Sequence, residues 1–346
     1  MFNVTKSFFP VGQGGFYSER IIYNGMEKVF VYDCGSVVKN TKRGPTQELV
    51  DCIHKSGMAK VDYVVISHLD NDHINGIPEL EDYLIRDVGL TPSELPLIII
   101  PHPTPIDKIL FFGCGTQNTI NWFFNVVQEK RMVYLVNADT VFKEPLLLNQ
   151  ELAGRVISHH AQFSIFQSNK IWQFKFYVGK RNYRNRLTQS DSDLIQKVKS
   201  FDDFVKNKDK LKSVYKKIRY GMNGSAMSMV SFPIFAKECS RDLSFVTWLN
   251  GDMRLKTRRE KLSIEKHFTC LDGKNVDFQI PHHGSRKNLG SLPKNVNNLR
   301  TYVWAGLNNG YRHPSPEIVN MAKSNSLYSR ITENSQDLIV RHETWF

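Results

Sequence analysis

Residues 2–9, 16–23 and 28–33 carry apolar positions in the pattern of three strands, and the spacing then lengthens. Near 46–56, Leu49, Val50, Cys52 and Ile53 fall on one face and predict a helix. Val64, Val65 and Ile66 form a short apolar run, so a buried strand is expected near 62–67, followed by the helix-like Ile77-Pro78-Glu79-Leu80. Leu97 to Pro101 predicts another buried strand and 117–130 a helix. From 227 strands return (227–236, 244–250, 275–281 and 300–305), with helices near 256–267 and 315–323. Pro314 and Pro316 suit the first turn of that last helix. Two halves of strand and helix, each ending in loops that bear ligand-type side chains, predict an α/β (α+β) fold of four layers, an αββα sandwich. We expect one domain over residues 1–346.

Between Lys180 and Arg219 the pattern changes character, with 13 Lys or Arg against 5 Asp. Leu194, Ile195, Val198, Phe201, Phe204 and Val205 recur at helical spacing there, and Leu211, Val214, Tyr215 and Ile218 repeat it. A basic helical insertion at about 180–220 is therefore expected, its cationic faces outward. Such a face either is only solvated or displaces counterions from nucleic-acid phosphates. The formal charge of +12 over the 346 residues makes the second reading worth carrying.

A hydrophobic content of 41% supplies a core, and no apolar run approaches the roughly 20 residues that span a bilayer. The start, Met1-Phe2-Asn3-Val4-Thr5-Lys6, lacks the pattern of a signal peptide, so a cytoplasmic location is expected. Five cysteines (34, 52, 114, 239 and 270) without C-x-x-C spacing argue against a disulfide framework and a zinc knuckle.

Chemistry concentrates at strand ends. Ser67-His68-Leu69-Asp70-Asn71-Asp72-His73 places two imidazoles and two carboxylates on the loop after the 62–67 strand. Turns use Asp and Asn but gain nothing from flanking histidines, so the loop is a candidate metal site. His68 and Asp70 can face one way and Asp72 and His73 the other, which suits two ions. Phe245 to Leu249 runs into Asn250-Gly251-Asp252, whose carboxylate could bridge two cations; Phe278-Gln279-Ile280 runs into His282-His283-Gly284-Ser285. The expected ligands are His68, Asp70, Asp72, His73, Asp252 and His282 or His283. Val29 to Gly35 ends in Asp33, expected to orient a ligand histidine rather than bind metal. Asp70, Asp72 and Asp252 against two divalent cations leave a formal +1, which suits a phosphodiester anion. A carboxylate-rich set favours Mn²⁺ at least as much as Zn²⁺, with Mg²⁺ possible.

These pieces, in this order, resemble the metallo-β-lactamase-fold hydrolases, and among them the soluble metallo-β-lactamase-like domain of ComEC-type competence proteins. Val11-Gly12-Gln13-Gly14 resembles the family's V-G-Q-G turn, and Asp33-Cys34-Gly35 its D-x-G. Ser67 to His73 resembles S/T-H-x-D-x-D-H, with Asp in place of the usual second His. Asn223 and Ser228 stand where the family has N-x-S, Gly251-Asp252 resembles its T-G-D, His282 to Ser285 its H-H-G-S, and Asn308 to Pro316 its N-x-Y-G-H-P-x-P. The resemblance runs from about residue 2 to 323. Gly15 and Arg312 depart from it, at positions expected to lie away from the ligands. The mid-chain histidine that most metallo-β-lactamases add to the metal site is left unassigned among His102, His159 and His160.

The resemblance implies a metal-dependent hydrolase of phosphodiesters, a DNA nuclease that activates water with two metal ions. Asp72 is then a catalytic ligand. His313, before the last helix, is a candidate general acid or phosphate contact, and Ser285 and Arg312 are further phosphate contacts. Lys206, Lys208, Lys210, Lys212, Lys216 and Lys217 would hold nucleic acid. The transport segments of ComEC proteins are not in this chain. The alternative on the same fold is hydrolysis of a small ester or phosphodiester, such as a phosphorylcholine ester, a lactone or a nucleotide signal. A third reading, a binding module without catalysis, fits poorly with so full a set of ligands.

Overall fold

A computed structural model describes residues 2–37, 45–138, 145–166, 172–179, 188–217, 226–234, 245–307 and 309–345. The first half supplies strands β1 (Phe2–Phe8), β2 (Gly14–Tyr23), β3 (Met26–Ser36), β4 (Tyr63–Val65), β5 (Leu97–Pro101), β6 (Met132–Val136), β7 (Leu146–Leu147), β8 (Val156–Ser158), β9 (Gln162–Ser164) and β10 (Trp172–Val178). The second half adds β11 (Met227–Pro233), β12 (Phe245–Leu249), β13 (Asn275–Gln279), β14 (Leu299–Trp304), β15 (Leu327–Ile331) and β16 (Ile339–Trp345). Helices are α1 (Gln47–Lys55), α2 (Asn71–Ile74), α3 (Ile77–Arg86), α4 (Pro105–Cys114), α5 (Gln117–Gln128), α6 (Gln189–Lys197), α7 (Phe201–Lys217), α8 (Arg258–His267) and α9 (Pro316–Asn325).

The strands make two mixed sheets, ordered β16-β1-β2-β3-β4-β5-β6-β8 and β15-β14-β13-β12-β11-β10-β9-β7. Pairing is parallel from β3 through β8 in the first and from β12 through β15 in the second. The C-terminal ends of β4, β12 and β13 are where the ligand-bearing loops begin, the usual place for a site in a parallel sheet.

Aromatic rings interlock between the sheets: Phe8 stacks on Tyr302 at 4.0 Å, and Phe30 meets Phe174 edge-on at 4.7 Å. Outside the first sheet, Leu49, Ile53, Leu80, Leu84 and Ile120 bring α1, α3 and α5 onto the same core. Outside the second, Ile264 of α8 and Ile318 of α9 cover Val246, Trp248, Phe278 and Val303. The order of layers is helix, sheet, sheet, helix. Polar ties also cross between the sheets, among them a buried ionic cluster. Lys6 of β1, fully buried, lies 3.3 Å from Asp277 of β13 and 3.2 Å from Glu343 of β16, and Arg300 forks onto Asp277. Removing one partner of such a set would strand a buried charge.

The predicted elements appear within a few residues of their expected bounds, with three kinds of difference. The strand expected at 62–67 pairs only over Tyr63–Val65, because the chain turns from the sheet at Ile66 to form the site loop. Strands β6 to β10, β15 and β16 and helices α2 and α4 had no expectation, α2 forming where the site loop was expected. β16 closes the first sheet by pairing with β1 from the far end of the chain, a contact that no local pattern encodes. In the basic window, α6 and α7 place Ile195, Phe204, Leu211 and Val214 inward, against α4 and α5. Residues 180–187 and 218–219 of that window lie outside the described residues.

Candidate metal centre

Backbone geometry prepares the site. Six non-glycine residues among those described have φ in the left-handed region, and four of them are Asp33, His282, His283 and Arg312. Conformations of that kind persist where the surroundings over-determine them and gather at functional sites. Two glycines allow close approach. A Cβ on Gly35 would meet the Asp72 carbonyl carbon at 2.5 Å, so α2 could not seat against β3; Gly251, at φ 50°, would meet Ser67 Oγ at 2.4 Å.

The Asp252 carboxylate lies at the middle of the cluster and faces two ways. Its Oδ2 is 3.7 Å from His68 Nε2 and 3.4 Å from His282 Nδ1, while Asp70 approaches the same His68 nitrogen at 3.4 Å. Its Oδ1 is 3.3 Å from His73 Nε2 and 3.8 Å from His283 Nε2; Asp72 meets that His283 nitrogen at 3.0 Å and comes within 4.0 Å of His73. Two half-sites thus share one carboxylate. His282 and His283 both reach it, one on each side.

Hydrogen bonds behind the imidazoles fix their protons. Asp33 Oδ2 accepts from His73 Nδ1 at 2.8 Å and from Ser67 Oγ at 2.8 Å, and its Oδ1 accepts from Ser67 N at 2.7 Å. Ser67 Oγ spends its only proton on Asp33, so toward His68 Nδ1, 2.9 Å away, it can only accept. His283 Nδ1 donates to the Trp304 carbonyl at 2.9 Å. Each ring therefore carries a proton on Nδ1 and points Nε2, the nitrogen a cation would take, inward. Of these buried atoms, His68 Nε2, His73 Nε2 and Asp252 Oδ1 have no hydrogen-bond partner. Buried polar atoms left so are costly unless something else satisfies them. A pair of divalent cations fits this donor set: three inward imidazole nitrogens, three carboxylates and a second-layer acid.

Without cations, the surrounding carboxylates favour a further proton on His73, which a bound cation would displace. Burial works against charge on His73, yet Asp33, Asp72 and Asp252 hold its pKa well above the ordinary histidine value. Burial likewise opposes ionisation of Asp72, but His73 and His283 bring it down to about 2. Asp252 lies well below the carboxylate range against its own burial, through His282 and His73. Asp72 and Asp252 are thus ionised without bound cations.

No family model and no curated protein matches the chain. Solved structures similar to it include unliganded yeast PDE1, at 10% identity and TM-score 0.42 over 96% of this chain and 97% of that one. A long-form RNase Z from yeast is similar at 10% identity and TM-score 0.36 over 87% of this chain, which spans 37% of the RNase Z. At these values neither likeness bears on chemistry. Two mixed sheets between helical layers are consistent with a metallo-β-lactamase-type αββα sandwich.

The remaining sequence candidates are placed as follows. His313 packs beside His282, ring centroids 5.7 Å apart, and Asn309 holds its backbone N–H at 2.8 Å. Burial, with His283 and His282, pushes its pKa down to about 4, so at neutral pH it offers a neutral N–H rather than an acid proton. Ser285 is buried and its Oγ accepts from Lys287 N at 3.3 Å; Arg312 is exposed on the loop before His313. Ser228 donates to the Leu249 carbonyl at 2.9 Å and accepts from Trp248 Nε1, bracing the strand beneath Asp252. Asn223 and Asn308 lie outside the described residues. Gly15, expected away from the ligands, is against them: a Cβ there would sit 3.6 Å from His73 Nδ1. His102 is exposed beside Tyr134, and His159 and His160 join His267 in a separate group, so none of the three completes the centre. Lys206, Lys208, Lys210 and Lys212 are exposed along α7; the side chains of Lys216 and Lys217 lie outside the description. Sequence reasoning missed Trp304, whose carbonyl sets the His283 tautomer, because a backbone acceptor leaves no residue-type signal.

Proposed function

We propose that the chain is a metal-dependent phosphodiesterase whose substrate is DNA. The observation that carries the reading is Asp252 shared between two half-sites, each lined by inward-facing Nε2 atoms whose protons are held elsewhere. His68, Asp70, His282 and Asp252 would hold one divalent cation, and Asp72, His73, His283 and Asp252 the other. Bound there, Mn²⁺ or Zn²⁺ would supply Lewis acidity and lower the pKa of water for attack on phosphorus.

The chain's own residues do the rest. Asp33 and Ser67 hold the proton of His73 and His68 on Nδ1, and Trp304 does so for His283. His313, neutral at pH 7, is positioned to donate a hydrogen bond to a phosphate oxygen, and an anion beside it would raise its pKa toward a proton donor's. Near-neutral charge at the loaded centre favours a phosphodiester monoanion. The choice of DNA is supported by the resemblance to the ComEC-type domain and by the exposed lysines of α7.

The test is elemental analysis of the purified protein, then incubation with single- and double-stranded DNA with and without Mn²⁺. Metal-dependent loss of full-length strand is expected. Close to two equivalents of metal with no cleavage of either DNA, together with turnover of a small ester, would move the assignment to the small-substrate reading.

A further inference from the structure

A second cluster of imidazoles lies outside the metal centre. His159, His160 and His267 bring ring nitrogens within 4.8 Å of one another in an open cleft of about 430 Å³, with Lys175, Lys266 and Gln162 in its wall. It is formed by the turn after β8, the outer face of β10 and the last turn of α8. Such a volume is ample for a phosphate with its sugar.

Three histidines suggest a cation, but their protons argue otherwise. Val178 N donates to His159 Nδ1 at 2.9 Å, so this ring's proton sits on Nε2. His267 Nε2 lies 2.7 Å from the Phe176 carbonyl, which can only accept, so it too is protonated. His159 could bind a cation only as an imidazolate. Among the described residues, the cleft wall has two ammonium groups and no carboxylate. Burial, with His160 and Lys175 contributing, pushes His267 down to about 4. The His159 Nε2–H and two ammonium groups, with no acid among the described residues, favour an anion.

Its position ties it to the metal centre. Ser67, beside His68, accepts from Met227 N at 2.7 Å; Met227 pairs with Val178; and Val178 donates to His159. β10 lies two strands from β12, which carries Asp252, a separation of roughly 10 Å at ~4.8 Å per strand. A strand held at the metal centre could therefore reach the cleft within a few nucleotides.

We infer that the cleft binds a backbone phosphate of the substrate strand a few nucleotides from the phosphodiester at the metal centre. This rests on the phosphodiesterase reading above. The shared chemistry is a phosphate group, and its source is either the strand or a free phosphate.

The test compares wild type with a Lys175→Gln, Lys266→Gln double variant, in which neither residue touches the metal centre. Imidazole ¹H–¹⁵N spectra are recorded during titration with inorganic phosphate, then with Zn²⁺ alone. Binding of single-stranded octanucleotide and dinucleotide is measured by fluorescence anisotropy on chelator-treated protein, so that it does not depend on turnover. Phosphate should move the His159, His160 and His267 signals in wild type and not in the variant. The octanucleotide Kd should rise at least ~10-fold, with the salt slope flatter by about 1.4 for two lost single-strand contacts. The dinucleotide Kd should stay unchanged. Phosphate-shifted rings with an unchanged octanucleotide Kd would make this a site for free phosphate and overturn the strand assignment. Zn²⁺ bound by the three rings would overturn the anion assignment. Absence of phosphodiester cleavage with metal added would instead remove the function proposed above, whichever way the binding came out.

Discussion

Replacing Asp33 by Asn should disarm the metal centre without unfolding the protein. Asn has the same shape and tolerates the φ of 53° found there. Its amide must keep oxygen toward Ser67 N, 2.7 Å from Asp33 Oδ1, because the reverse orientation would strand a buried N–H at about 1–3 kcal/mol. The NH₂ then replaces Oδ2 and donates to what it meets. His73 Nδ1 must become an acceptor, which moves its proton to Nε2, the atom facing Asp252. Ser67 Oγ likewise becomes an acceptor from the amide, and its freed proton turns to His68 Nδ1, putting that ring's proton on Nε2 as well. One substitution thus blocks a nitrogen in each half-site. Loss of a partner behind a ligand typically costs about 10–100-fold in metal affinity, so two flipped rings should cost about 10²–10⁴-fold if they act independently. The assay is competition for Zn²⁺ or Mn²⁺ against a chromogenic chelator, with thermal unfolding as control. A folded Asp33→Asn protein with wild-type metal affinity would refute the tautomer argument.

Other perturbations bear on separate parts of the account. Asp72→Ala should abolish hydrolysis while the metal-free protein keeps a cooperative melt; wild-type turnover on every substrate would remove Asp72 from the mechanism. Neutralising Lys206, Lys208, Lys210, Lys212, Lys216 and Lys217 should weaken DNA binding and flatten the slope of log K against log salt by about 0.9 per lost duplex contact or about 0.7 on a single strand. An unchanged slope would make α7 a solvated face. Burial raises the Glu19 carboxyl from 4.5 to about 7 despite nearby Lys6, so its contribution to stability is full below about 4.5 and is lost as pH climbs through about 7. Relative to Glu19→Gln, the wild type should therefore lose on the order of 3 kcal/mol between pH 4.5 and 8 in urea unfolding; parallel profiles for the two proteins would contradict this.

What the sequence revealed and what it hid follow from the range of the interactions. Strands such as Leu97–Pro101 and Phe245–Leu249 announce themselves because burial on both faces forces an apolar run. The loop at 67–73 was legible because its donors are adjacent in the chain. β16 was not, since what holds Ile339–Trp345 is β1, more than three hundred residues away. Neither was α4, whose mostly apolar Pro105–Cys114 lacks a polar face to mark its period and begins with a proline-bearing capping box. At the centre, residue types pointed to Asp33 and Asp252, but only geometry shows that Asp252 faces two ways and that Gly15 lies against His73. The His159, His160 and His267 cluster joins residues some hundred positions apart and was invisible as a group.

The central claim is that two cations share Asp252, and anomalous diffraction from crystals soaked in Zn²⁺ or Mn²⁺ tests it most directly. Two peaks are expected, one toward His68, Asp70 and His282 and one toward Asp72, His73 and His283, with the Asp252 carboxylate between them. A single peak away from Asp252, or none in a well-ordered soaked crystal, would contradict it.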